Sequence, residues 1–195
     1  MRVSVMMQPI KIYLVRHGEA EHNVLSIGSS LPEITERHLT EKGKDQIREV
    51  AEFLRDKSVS AIISSPLLRT RETAAIISKS AGVPVDIDDR LHETGLGIFN
   101  EKPIQLFFDK YPKPEMRLSP DRADGVESFI DMRGRLQRFL SDLEEHYAGK
   151  TVVVVSHGDP LEQLHGILTH EAPGLSATGW YPTKGSCTEV VWIGA

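Results

Sequence analysis

The segment TVVVVS, Thr151–Ser156, constrains the fold of this chain more than any other. Four consecutive valines show no alternation of apolar and polar residues, so both faces of the segment must be covered, and β-branched side chains favour a strand. Ile10–Val15, Ala61–Ser64 and Val83–Ile87 have the same short, Ile/Val-rich character. Helical patterns separate them. Thr40 is a suitable N-cap for Glu41–Asp56, with Ile47, Val50, Ala51 and Leu54 on one face. Ser65-Pro66 supplies an N-cap and an N1 proline for a helix to about Ser80. A third stripe runs from Val126 to Leu143, interrupted by Arg133, and Asp159-Pro160 opens a fourth helix reaching about Thr169. Strands alternating with helices predict an α/β fold, one three-layer domain with a mostly parallel central sheet covered on both faces. The run Ser186–Ile193 can add an edge strand.

A chain of 195 residues fits a single domain over 1–195. Only 98–125 breaks the pattern, with prolines at 103, 112, 114 and 120 and mixed aromatics and charges. Connections of this kind are usually functional lids or disordered segments, and a lid or specificity insertion is the expectation there. Net charge is −5, which argues against a nucleic-acid partner, since such proteins show a basic face. The single cysteine, Cys187, cannot form an internal disulfide, and nothing requires an oxidising compartment. Gln8, Pro9 and Lys11 interrupt the apolar start, no small-residue cleavage site follows, and no window approaches the ~20 apolar residues of a membrane span. A cytoplasmic location with no membrane partner is the expectation.

Ligand sites in open α/β sheets lie outside the carboxyl ends of the strands. The residues just after the predicted strands are Arg16-His17-Gly18, Ser65 to Arg69, Leu91-His92-Glu93 and His157-Gly158-Asp159. Arg16, Arg69, His17, His157 and Glu93 thus meet on one rim. Adjacent arginine repels a divalent cation, and the spacing is not that of a metal-binding helix, so neither a metal nor another cofactor is expected. A phosphate dianion suits the set far better. One unit-charge pair at 4 Å is worth roughly 4 kcal/mol at an effective dielectric near 20, and the guanidinium fork matches phosphate oxygens. A neutral imidazole can attack phosphorus, and neighbouring arginines keep it neutral by disfavouring imidazolium. Gly18 would let the backbone approach the phosphate, with Gly158 in the matching position of the second junction. Glu93 is the available proton donor for a leaving alkoxide if burial raises its pKa. The residues themselves leave open which histidine is the nucleophile.

"LVRHGEAEHN", "SSPLLRTRETA", "LHETGLG", "DGVES" and "VVVVSHGDPL" together resemble the histidine phosphatase superfamily, in the branch shared with phosphoglycerate mutases. The resemblance spans roughly Ile10 to Gly166 and implies a phosphoglycerate mutase-like fold. It implies His17 as the nucleophile forming a phosphohistidine, with Arg16, Arg69 and His157 clamping the phosphoryl group. It further implies Glu93 as proton donor and Asn23 as a phosphate contact. Here Glu19-Ala20-Glu21 follows the RHG, and the late motif is His157-Gly158-Asp159, which disfavours the acid phosphatase and phytase branch. Where mutases carry a glycine-rich, basic stretch, this chain reads "SIGSSLPEITERHLT".

The expected activity is therefore a metal-independent phosphomonoesterase acting on a small phosphorylated metabolite, or less readily a phosphoprotein. The alternatives are a mutase-type phosphotransferase and a non-catalytic phospho-ligand module. His22, His38, His146, His165 and His170 receive no role, and Arg71 is expected to face solvent or pair with Glu72 or Asp45.

Overall fold

The computed structural model describes residues 8–173 and 179–194. Residues 1–7, on which part of the reading of the N-terminus rests, lie outside them. In chain order the elements are β1 (Ile10–Arg16), α1 (Glu21–Leu25), α2 (Glu41–Leu54), β2 (Ala61–Ser64), α3 (Leu68–Ala81), β3 (Val85–Ile87), α4 (Gln105–Lys110), α5 (Phe129–Tyr147), β4 (Thr151–Ser156), α6 (Gly158–Leu168) and β5 (Cys187–Trp192). Single 3-10 turns occupy Asp89–Leu91, Gly97–Phe99, Pro114–Arg117 and Arg122–Asp124.

The sheet order is β3-β2-β4-β1-β5, parallel except for β5, which runs antiparallel on the β1 edge. The valine run of β4 sits centrally and explains its own composition. Val152 and Val154 enter one core with Ile12 and Leu14 of β1, beneath α5 and α6. Val153 and Val155 enter the opposite core with Tyr13, Val15 and Ile62, beneath α2 and α3. Successive side chains point to opposite faces of a strand, so a strand covered twice must be apolar throughout. Each fully buried Val, Leu or Ile contributes about 1.5–3 kcal/mol of apolar burial.

Two expectations need correction. The Val83–Ile87 strand is only Val85–Ile87 and half-exposed, because it pairs on one side alone and forms the sheet edge. Ser65 does not cap α3. That helix begins at Leu68, and the Leu68 amide donates to the Glu33 carboxylate at 3.1 and 3.2 Å. Thr40 does cap α2, its hydroxyl accepting from the Gly43 amide, and Ser128 caps α5 in the same way.

The 98–125 stretch packs a small core of its own, with Phe99, Phe107 and Tyr111 joined by Leu96, Val126 and Ile104. Backbone bonds from Gly28 to Lys102 and from Ile104 to Ser26 fasten it to the loop after α1.

Candidate active site

Strand pairing brings the rim together. Arg16 of β1 stands beside Ser156 of β4 in register, the His17 amide donates to the Ser156 carbonyl, and the Ser65 amide donates to the Val155 carbonyl. The three central strands therefore deliver His17, His157 and Ser65 to one carboxyl edge. The Ser156 hydroxyl donates to the Leu91 carbonyl at 2.7 Å, fixing the loop that carries Glu93.

His17 and His157 are fully buried, their ring centroids 5.2 Å apart. Nδ1 of His17 lies 2.7 Å from the Gly18 carbonyl, which can only accept, so the proton is on Nδ1 and Nε2 keeps its lone pair. Arg69 Nε donates to that Nε2 at 3.3 Å. Burial, then the Arg69 charge, holds the His17 pKa well below its ordinary value. His157 is lowered for the same two reasons, and its Nε2 lies 2.7 Å from the Ser65 hydroxyl. Both imidazoles are neutral at physiological pH.

Arg69 is completely buried and donates from Nη1 to the Ser29 hydroxyl and from Nη2 to the Ser29 carbonyl, at 3.1 and 3.0 Å. Burial lowers its pKa to about 10, with Glu93 and Glu33 opposing, so it stays cationic. Arg16 donates to the Pro182 carbonyl at 2.8 Å, lies over the Tyr181 ring at 5.3 Å, and keeps a buried Nε without a hydrogen-bond partner. Glu93 accepts from the Thr94 amide at 2.9 Å, and its other oxygen lies 3.8 Å from His157 Nδ1. Burial and then the Asp159 charge raise the Glu93 pKa, against the pull of Arg69.

All five rim residues are thus gathered at one place, and a cavity of about 450 Å³ lies beside them, with Arg16 and Glu93 of the five in its lining. Asn23 lines it, but its carbonyl oxygen accepts from the Ala20 amide and its amide nitrogen meets His22 Nε2 at 2.9 Å. The two glycines have packing reasons. A Cβ on Gly18 would lie 2.3 Å from the Gly43 carbonyl of α2, and one on Gly158 would lie 2.0 Å from the Tyr181 hydroxyl.

Several residues in the site were not singled out by the sequence. His22 is buried, its ring 5.6 Å from that of His17, and burial with Arg69 and Arg16 depresses its pKa to about 2. Its position inside the first motif was the available signal. Asp159, read only as a helix start, accepts from Thr94 Oγ1 at 2.9 Å, from Tyr181 at 3.2 Å and from Arg117. Arg117 arrives from the insertion and lies over the Phe129 ring at 4.4 Å. Nothing in the local sequence marks it. Of the residues given no role, His38 pairs with Glu72 at 2.7 Å on the surface, and Arg71 is exposed but pairs with Glu36 at 3.3 Å, not with Glu72 or Asp45. Among the described residues no group of three or more His, Cys, Asp or Glu side chains is arranged to hold a metal ion.

A model of the histidine phosphatase superfamily (branch 1) matches residues 12–193. The chain belongs to the histidine phosphatase superfamily. Phosphoserine phosphatase 1 of Hydrogenobacter thermophilus is 31% identical over 160 residues, covering 80% of this chain and 74% of that protein. The probable phosphoglycerate mutase GpmB of Enterobacter sp. (strain 638) is 32% identical over 172 residues, covering 86% of this chain and 77% of that protein. Among solved structures, Bacillus stearothermophilus YhfR superposes with a TM-score of 0.81 at 26% identity, covering 92% of this chain and 90% of that one. The α/β domain with its mostly parallel sheet is that of a phosphoglycerate mutase-like protein of this superfamily.

Proposed function

We propose that this chain is a phosphomonoesterase working through a phosphohistidine at His17. The observation that carries the reading is the fixed tautomer of His17, whose Nε2 lone pair faces the buried Arg69 guanidinium. Substrate phosphate displaces that contact, and Arg69, Arg16 and the His157 side chain hold its oxygens. Nε2 then attacks phosphorus and the bond to the leaving oxygen breaks, while Glu93, whose protonated form burial favours, gives that oxygen a proton. In the second half, Glu93 carboxylate takes a proton from water as the water oxygen attacks phosphorus. The P–N bond breaks and its electron pair returns to Nε2. The sum is ester plus water to alcohol plus phosphate.

Guanidinium groups that are already buried and aimed need no reorganisation as charge moves onto the phosphoryl oxygens, which is where most of the acceleration in such a site originates. Rapid quench with a radiolabelled monoester should trap an acid-labile, alkali-stable phosphoenzyme that His17→Ala lacks, with phosphate released at equal rates in EDTA. Isomerisation of 3-phosphoglycerate in the presence of a bisphosphoglycerate primer, with no free phosphate, would instead make the chain a phosphotransferase. Binding of phosphate esters without turnover would make it a scaffold.

A further inference from the structure

We propose that the alcohol half of the substrate is apolar and carries no second anionic group, an aromatic ring being the best fit. This rests on the phosphatase reading above and concerns the cavity wall beyond the phosphate clamp. That wall is built by Ile27, Leu96, Ile104, Phe107 and Phe108.

Its side chains are held in place. Phe107 packs edge-on against Phe99 and Phe108, with ring centroids 5.8 and 5.5 Å apart, and its ring also meets Tyr111 at 5.6 Å. The bond from the Ile104 amide to the Ser26 carbonyl, at 2.9 Å, seats the start of α4 against the loop bearing Ile27. Phe108 nonetheless remains 49% exposed although it lines the cavity. An aromatic side chain held open to solvent beside the reacting group is surface that a ligand can cover.

Charge argues the same way. Of the cations lining the cavity outside the clamp, Arg117 is engaged by Asp159 and lies between the Phe107 and Phe129 rings. It cannot neutralise a carboxylate or second phosphate without losing Asp159. Lys184 is exposed and belongs to the side of Glu19 and His22, whose pKa values it lowers. A second anion set against this apolar wall would therefore be desolvated there with Arg117 already paired, an unfavourable exchange, and among the described lining residues outside the clamp the other cation is Lys184, near Glu19 and His22. The cavity of about 450 Å³ admits a ring-sized group together with the phosphate.

The test compares alkyl phosphates of similar leaving-group acidity, so that chemistry does not pose as binding: 2-phenylethyl phosphate, glycerol 3-phosphate and 3-phosphoglycerate. The expected kcat/KM for the phenylethyl ester exceeds each of the others by about 10-fold or more, the range that one apolar contact surface supplies. Phe108→Ser, a change at a half-exposed position that spares the fold, should shrink the phenylethyl-to-glycerol ratio several-fold through KM. A ratio near one in the native protein, or the same ratio in Phe108→Ser, overturns the inference while leaving His17-dependent phosphate release intact. Absence of phosphate release from all three esters, in native protein as in His17→Ala, would instead defeat the phosphatase reading itself.

Discussion

The clamp and the insertion wall face one cavity but are built on opposite terms. His17 and His157 are fully buried at the ends of central strands and Arg69 in the first turn of α3, and each is held by hydrogen bonds, to Gly18, Ser65 and Ser29. The wall rests on the separate Phe99–Phe107–Tyr111 core and is tied down by a few backbone bonds and by the Arg37–Glu101 and Arg117–Asp159 pairs. Chemistry thus depends on the stability of the whole sheet, whereas selectivity depends on a small unit that can change alone. Sub-ångström placement is needed where bonds break, and apolar contact tolerates more.

Substitution at the clamp should cost most. His17→Ala removes the only group proposed to bond phosphorus, and kcat is expected to fall by about 10³-fold or more for every ester. Comparable losses across esters would sharpen the division; a loss confined to apolar esters would break it. Next comes Glu93→Gln, expected to lower kcat by about 10²-fold for alkyl phosphates. An aryl phosphate with an acidic leaving group needs less protonation, so the deficit should shrink there. A uniform deficit would mean that Glu93 positions substrate and donates no proton.

The strand-end residues were legible because their placement is local: once TVVVVS is read as a central strand, His157 must stand at its carboxyl end. The bounds of the strands Ala61–Ser64 and Thr151–Ser156 follow from the same compositional signal. Failures occurred where tertiary partners override local rules. Ser65-Pro66 has the local chemistry of a helix start, yet Ser65 turns to His157 and Glu33, from another loop, meets the first amide of α3. Local chemistry leaves His17 and His157 equal, and the preference for His17 rests on the resemblance of the motifs alone. That resemblance says nothing of the Arg117–Asp159 pair, whose members are 42 residues apart and visible only once the insertion is folded.

Phe99→Ala tests the independence of the wall. Deleting that ring costs about 3–5 kcal/mol where a core cannot collapse, more than a unit with three buried rings can absorb. Hydrogen exchange should therefore accelerate in 98–125 while β1 and β4 stay protected. KM for the phenylethyl ester should rise, and kcat for the glycerol ester should move far less. Equal loosening of β4 would show that the two regions form one cooperative unit.

The smallest expected effect joins the two regions. Asp159 accepts from Arg117 of the insertion and from Thr94, the neighbour of Glu93, and its charge helps raise the Glu93 pKa. Glu93 must be protonated for the first transfer, so kcat falls as pH rises through its pKa; a raised value places that limb at higher pH. His17 is held neutral well below its ordinary range, so its titration contributes no limb near neutrality. Asp159→Asn keeps the shape but removes the negative charge and leaves Arg117 unneutralised. Both changes favour Glu93 carboxylate, so its pKa falls and the alkaline limb of kcat moves to lower pH. A shift of one pH unit corresponds to about 1.4 kcal/mol, and the partly open site should yield less than that. A structural loosening alone would depress kcat at all pH values without moving the limb. An unmoved limb in Asp159→Asn would therefore separate wall from clamp completely, and a displaced one shows that the carboxylate anchoring the insertion also sets the proton donor.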